Sequence, residues 1–244
     1  MFIYMIFSQI ERLSAILQGK GYGSSTLKKE VAVALSLLGR KPVTFVDVGG
    51  NKGGYTEHLL RNSPAAQVHI FEPSAENISI LKTKFDQDSR VKLNHCALGK
   101  ARDRAILYAD IPGSGLASLS NRRLDHFGIS MNIEEQVDVI AFHEYWTEQM
   151  NQIQIDLVKI DVEGHEMDVL QGFGDVIKVT KAIQFEFGGC NIDTRTYFQD
   201  FWYFFKYYNF EIFRISPFGA KIITKYQETD ERFITTNYIA LQRN

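Results

Sequence analysis

The sequence predicts an α/β domain with a mainly parallel β-sheet and helices on both faces. Three observations carry that expectation. The chain has 244 residues, 45% of them apolar, enough for one sizeable core. Short β-branched runs alternate with segments of helical spacing, and the strand-like runs stop at glycines or carboxylates. Alternation of this kind implies right-handed crossovers, which return each helix to a face of the sheet.

Phe2, Ile3, Tyr4, Met5, Ile6 and Phe7 form an apolar run that Ser8, Gln9, Glu11 and Arg12 end. A membrane-spanning helix needs about 20 such residues, and the run lacks the basic opening and cleavage site of a signal peptide. It reads as an amphipathic helix covered by the domain, by a sister subunit in a homodimer or by a membrane surface. Val31 to Leu38 reads as a buried helix ending at Gly39. Residues 1–40 are therefore expected to be an N-terminal helical appendage, and residues 41–244 the main domain.

Thr44 to Val48 is a strand that runs into Gly49-Gly50-Asn51-Lys52-Gly53-Gly54, with a helix over Tyr55 to Arg61. Val68 to Phe71 is the second strand, closed by Glu72 and Pro73, and Ser74 caps a helix carrying Ile78, Leu81 and Phe85 on one face. Val91 to Leu98 reads as a third strand. Residues 104–109 and 137–142 look extended and flank a Gly/Ser-rich loop at 112–118, expected to be mobile and to close over a site. Ile155 to Ile160 is a strand ending at Asp161, Glu166 to Phe173 a helix stopped by Gly174, and Ala182 to Phe187 another strand. Beyond Tyr197 comes an aromatic helix, read as core. Extended runs at 210–215, 220–224 and 238–241 then close the sheet in antiparallel fashion.

With 27 basic and 29 acidic residues the formal net charge is -2, so the chain as a whole does not attract a phosphate backbone and no nucleic-acid partner is expected. Cys96 and Cys190 cannot make a disulfide framework, which suits a reducing, cytoplasmic compartment.

Ligands of parallel sheets bind beyond the carboxyl ends of the strands, where Asp47 to Gly53, Glu72, Ala97, Asp161 and Glu186 converge. The glycines permit a tight turn and close approach of a ligand. Lys52 sits inside the turn rather than after its last glycine, so the phosphate loop of a nucleotide triphosphatase is not met. Asn51 stands at the second glycine of the dinucleotide fingerprint, so a ligand without phosphate fits better. Glu72, 19 residues past Gly53, suits ribose hydroxyls. Turn and carboxylate together point to a nucleoside with a cationic tail.

Four segments, Phe45 to Thr56, Ile70 to Pro73, Leu157 to Glu166 and Ile183 to Phe187, resemble class I S-adenosylmethionine-dependent methyltransferases, and more narrowly the FkbM family, over residues 43–241. The resemblance implies a Rossmann-like, seven-stranded sheet and transfer of a methyl group from S-adenosylmethionine to a hydroxyl of a sugar, glycan, glycolipid or natural product. It assigns cofactor binding to Asp47, Gly49, Gly50, Asn51, Gly53, Tyr55, Glu72, Ala97 and Asp161. His165 or Glu163 would be the general base, with Asp161 orienting cofactor or acceptor. Glu163 and Glu166 are also suited merely to cap the following helix. A cluster of Asp161, Glu163 and Glu186 would suit a divalent ion, although metal is not the expectation. Lys159 is read as structural. Two rival readings are a nicotinamide-dependent oxidoreductase, sharing the strand, turn and acidic tip, and a nucleoside-binding protein without turnover.

Overall fold

Residues 2–23 and 26–243 are described by a computed structural model of the chain. Two helices, α1 (Phe2–Leu17) and α2 (Leu27–Leu38), precede β1 (Thr44–Val48), α3 (Gly54–Asn62), β2 (Gln67–Phe71), α4 (Ala75–Phe85) and β3 (Val91–Asn94). Next come β4 (Ala97–Gly99), β5 (Asp103–Ala109), β6 (Ile133–Ala141), α5 (Phe142–Gln149), β7 (Ile155–Ile160) and α6 (Glu166–Phe173). The chain closes with β8 (Thr180–Phe187), α7 (Cys190–Thr194), α8 (Phe198–Tyr207), β9 (Phe210–Ser216), β10 (Gly219–Ile223) and β11 (Thr236–Gln242).

The main sheet has eight strands in the order β10-β9-β11-β8-β7-β1-β2-β3. From β3 to β8 every pairing is parallel, whereas β11 is antiparallel to both β8 and β9, and β10 to β9. The sheet is thus mixed, with four parallel and three antiparallel pairings, so the mainly parallel sheet expected is matched only in part. Its eighth strand is β10, added because Pro217 and Phe218 form a two-residue hairpin between Ser216 and Gly219. A second departure lies at 91–98. The chain bends at His95, whose ring bonds the Pro73 carbonyl at 3.0 Å. β3 therefore stays in the main sheet while β4 joins β5 and β6 in a separate three-stranded one.

Period-2 alternation divides the core in two. Val46, Val158, Ile160, Ile183 and Phe185 pack with Phe142 of α5, Phe173 of α6 and Phe201 and Phe205 of α8. Phe45, Val68, Ile70, Leu157 and Ala182 face the other way, against Val31 and Ala34 of α2, Leu59 of α3 and Leu81 of α4. The aromatic helix is core, as its spacing predicts. α2 packs against the second of these two faces through Val31, Val33 and Ala34. In α1, Ile3, Ile6, Ile10 and Leu13 are exposed while Ala15 is buried. No described helix is long and apolar enough to cross a membrane.

The turn after β1 is fixed by close approach of backbone. Gly49 has φ +77°, and a Cβ there would lie 1.9 Å from the Asp161 carbonyl oxygen. Both Gly49 and Gly50 donate their N–H to the Phe71 carbonyl, at 2.9 and 3.1 Å. Gly49→Ala is expected to cost about 3 kcal/mol or more of stability, combining left-handed strain with the clash. Gly128, at φ +70° with open space around it, should lose only about 1 kcal/mol as Gly128→Ala. Urea unfolding of both variants checks this, and equal losses would refute the role of close approach.

Candidate active site

The site is floored by a row of buried polar side chains. Asp47 on β1 is the register partner of Lys159 on β7, which pairs in turn with Gln184 on β8. All three are buried on the face covered by α2 and α3. Polar groups in such a place must be bonded, and two helices supply the partners. Thr56 donates to Asp47 Oδ2 at 2.6 Å, and Tyr55 donates to Gln184 Oε1 at 2.7 Å. Gln184 Nε2 donates to Glu30 Oε2 at 2.7 Å, and the Thr26 hydroxyl to Glu30 Oε1 at 2.7 Å. Lys159 Nζ lies 3.0 Å from Asp161 Oδ2 and 5.5 Å from the centre of the Tyr55 ring. Burial pulls the Lys159 pKa down, but Asp161, Asp47 and Glu30 more than offset it, so the ammonium is held above its ordinary range.

Above this floor, beyond the carboxyl ends of β1, β2, β7 and β8, is a cavity of about 430 Å³. Gly49, Gly50, Asn51, Tyr55, Glu72 and Ala97 line it, as do Asp161, Glu163 and His165. Two residues expected to touch the ligand do not line it. Asp47 is fully buried beneath the wall, holding Thr56, and its Oδ1 has no partner. Gly53 sits at the start of α3 at φ +72°, where a Cβ would meet Phe85 and Leu81. The glycines of the turn make room for the protein's own packing; a Cβ on Gly50 would meet Ile70 at 2.2 Å.

Glu72 is buried, and three protein donors already hold it. Its Oε1 accepts from Ser74 N at 2.9 Å and Asn77 Nδ2 at 3.4 Å, and its Oε2 from Asn51 N at 2.8 Å. One lone pair of Oε2 remains. Burial raises the Glu72 pKa, against the pull of these donors. The buried Asn51 Oδ1 has no partner either.

After β7 the chain turns through Glu163, at φ +54°, and Gly164, at φ +110°. A non-glycine residue in that region is strained, a condition typical of sites that something else holds in place. Here Glu166 does the holding. It is fully buried and accepts from Val162 N at 3.2 Å, Gly164 N at 3.1 Å and Asn191 Nδ2 at 3.3 Å. Glu166 thus braces the turn before α6 rather than capping the helix, and of Glu163, His165 and Glu166 only the first two line the cavity. Oxygens of Asp161, Glu163 and Glu186 lie within 4.8 Å of one another. Lys159 bonds the first of these carboxylates, and Arg122 Nη1 the second at 2.5 Å. A divalent ion spanning the three would have to compete with both cations. Burial and the Asp161 charge push Glu163 up to about 8, with Arg122 pulling the other way, and drive Glu186 well above the ordinary carboxylate range.

The loop at 112–118, expected to be mobile, is pinned to the rim. Tyr108 and Ser118 exchange backbone hydrogen bonds of 2.8 and 3.0 Å, and Ser118 Oγ donates to the Glu163 carbonyl at 2.8 Å. Sequence reasoning missed Glu30, Arg122 and Asn237, which lie outside every motif, and Gln184, which lies within one but was given no role. The one available signal was Glu30, an acid beside Val31 on the buried face of α2.

Residues 47–213 match the methyltransferase FkbM domain, more than half of the chain, and the chain belongs to that family. It is similar to Methyltransferase 1 of Beauveria bassiana (strain ARSEF 2860), 30% identical over 54% of this chain and 58% of the relative. The chain thus spans less than two thirds of that relative's length. It is also similar to the 2-O-methyltransferase NoeI of Sinorhizobium fredii (strain NBRC 101917 / NGR234), 23% identical over 75% of this chain and 78% of the relative. Among solved structures, methyltransferase FkbM of Methylobacillus flagellatus KT superposes with a TM-score of 0.48 at 17% identity, over 82% of this chain and 44% of the other.

The raised carboxylates have a consequence for stability. Between the ordinary value of 4.5 and about 8, folded Glu163 holds a proton that the unfolded chain has released. Stability must then fall as pH rises through that window. Glu163→Gln, which cannot ionise, is expected to flatten this fall in urea unfolding series across the window. An unchanged slope would refute the raised pKa.

Proposed function

We propose that the chain is an S-adenosylmethionine-dependent O-methyltransferase acting on a hydroxyl of a sugar, glycan, glycolipid or natural-product acceptor. The observation that carries this reading is the crowding of carboxylates at the strand tips. Oxygens of Asp161, Glu163 and Glu186 converge on the cavity within 4.8 Å of one another, and burial and mutual repulsion raise the last two. A cationic centre placed among them would relieve that repulsion, and an anionic one would add to it. When bound, S-adenosylmethionine would supply an electrophilic methyl carbon on a sulfonium centre.

The residues present fit that cofactor. The free lone pair of Glu72 Oε2 suits one ribose hydroxyl, one fewer than an unencumbered carboxylate would take. Asn51 Oδ1, buried without a partner, is a further acceptor for a ligand N–H or O–H. Asp161, at the tip of β7, is suited to an ammonium group, and Ala97, Leu98 and Leu107 give the cavity an apolar wall. Asp47 acts from below, through Thr56 and the charge of Lys159, rather than by contact.

An alcohol is a poor nucleophile, so a base must take its proton while its oxygen is held about 3 Å from the methyl carbon. His165 and Glu163, both in the wall, are the candidates. The name of the Sinorhizobium relative supports a hydroxyl as acceptor. A nicotinamide dinucleotide is disfavoured because the N–H groups of Gly49, Gly50, Asn51 and Gly53 are spent on Phe71, Glu72 and Gly50, so these four are not offered to a pyrophosphate.

Calorimetry with S-adenosylhomocysteine and with NAD tests the ligand. Binding of the first and not the second is expected, and the reverse would overturn the reading. Labelled methyl transfer from S-adenosylmethionine onto a panel of glycans and glycolipids tests the activity; binding without transfer to any hydroxyl would favour a non-catalytic protein. Glu72→Ala is expected to weaken S-adenosylhomocysteine by about 1 to 3 kcal/mol. His165→Ala should lower turnover by about 10²-fold or more with cofactor affinity nearly kept.

A further inference from the structure

His165 sits just before α6, and both nitrogens of its ring are engaged. Nδ1 lies 2.9 Å from Asp168 Oδ2, three residues on and one turn along the helix. Nε2 lies 2.9 Å from the Ser120 hydroxyl on the loop that covers the rim. An ionised carboxylate accepts and cannot donate, so the proton of a neutral ring belongs on Nδ1. Nε2 is then left with its lone pair, and the Ser120 hydroxyl donates to it. Asp168 thereby decides which nitrogen of His165 is able to take a proton, and it also fixes the plane of the ring.

Glu163 is arranged differently. Its Oε2 is bonded by the guanidinium of Arg122, whose Nε also reaches Asp193 at 3.4 Å. A base must present a lone pair to the incoming hydroxyl. Of the two candidates in the wall, His165 is the one with a lone pair already directed at a hydroxyl group. Arg122 gives Glu163 another task, that of tying the strained turn after β7 to the loop before β6.

Resting on the methyltransferase reading above, we infer that His165 is the general base and that Asp168 is its positioning residue. Asp168 touches neither cofactor nor acceptor; it holds the imidazole in the tautomer whose Nε2 accepts the proton of the acceptor hydroxyl. The proton passes from that hydroxyl to Nε2 as the oxygen–carbon bond forms and the carbon–sulfur bond breaks. Neutral S-adenosylhomocysteine leaves, and imidazolium remains against the Asp168 carboxylate. The arrangement was not visible in the sequence as a motif, because a histidine and an aspartate three apart at a helix start commonly serve only the helix end.

The test has two arms on the full chain. The first needs no acceptor. Long-range proton–nitrogen spectra of histidine-labelled protein, recorded about 1.5 units above the ordinary imidazole pKa of ~6.5, should show His165 protonated at Nδ1, its signals assigned by their loss in His165→Ala. In Asp168→Ala they should move to the Nε2-protonated form or a mixture of the two. The second arm measures methyl transfer to whichever hydroxyl acceptor the glycan panel yields. Asp168→Ala should lower kcat by about 10- to 100-fold with KM within about threefold, and Asp168→Glu should recover most of it. A mere helix-end role predicts lower stability with neither the tautomer change nor the kcat loss. Wild-type protein protonated at Nε2, or an Asp168→Ala kcat within twofold of wild type, would overturn the assignment of Asp168. An active His165→Ala variant would instead remove the base itself, and failure to bind S-adenosylhomocysteine would remove the methyltransferase reading beneath both.

Discussion

Lys159 carries a positive charge into the middle of the sheet, and the polar architecture of the site follows from the need to keep it there. An unpaired ammonium in that position would be too costly to bury. Asp161 bonds it directly, while Asp47, its register partner on β1, and Glu30 from α2 add their fields. Each of these carboxylates then needs its own donors, which come from Thr56, Gln184 and Thr26. The network thus ties α2 and α3 to three central strands. Polar clusters of this kind select one arrangement of the elements around them, and here one buried carboxylate oxygen of the network, Asp47 Oδ1, is left without a partner. Beside this network the carboxylates of Asp161, Glu163 and Glu186 crowd the cavity wall, and the repulsion among them raises the last two.

Strain is concentrated beside those carboxylates. Glu163 occupies a backbone region that side chains avoid, and Gly49 approaches the Asp161 carbonyl so closely that no side chain fits. The two turns after β1 and β7 are therefore interlocked. Glu166 and Asn191 brace one of them from the core side, and Ser118 fastens the covering loop to it from outside. A scaffold built this way presents Glu163 and His165 in fixed directions, which suits chemistry that works mainly by positioning.

Much of the fold was legible because its signals are local. β1, β7 and α6 follow from β-branched runs and a stop glycine, and α4 from Ser74 with Ile78, Leu81 and Phe85. Seven of the nine residues assigned to cofactor binding line the cavity, since strand tips in parallel sheets converge on one rim. The misses are of another kind. The chain leaves the main sheet at His95, whose ring bonds Pro73, and the bracing role of Glu166 depends on a partner 25 residues away. Neither leaves a periodic trace.

The sequence by itself determined the α/β alternation, the glycine turn, the acidic tips of the strands and the family to which they belong. Spacing, capping and steric permission act over a few residues and can be read along the chain. Tertiary structure alone decided that Asp47 supports the site from beneath, that Glu30 reaches it from α2, and that Arg122 claims Glu163 while Asp168 and Ser120 bracket His165. Those outcomes depend on which side chains meet after folding, and the interactions that settle them are short-ranged in space but not in sequence.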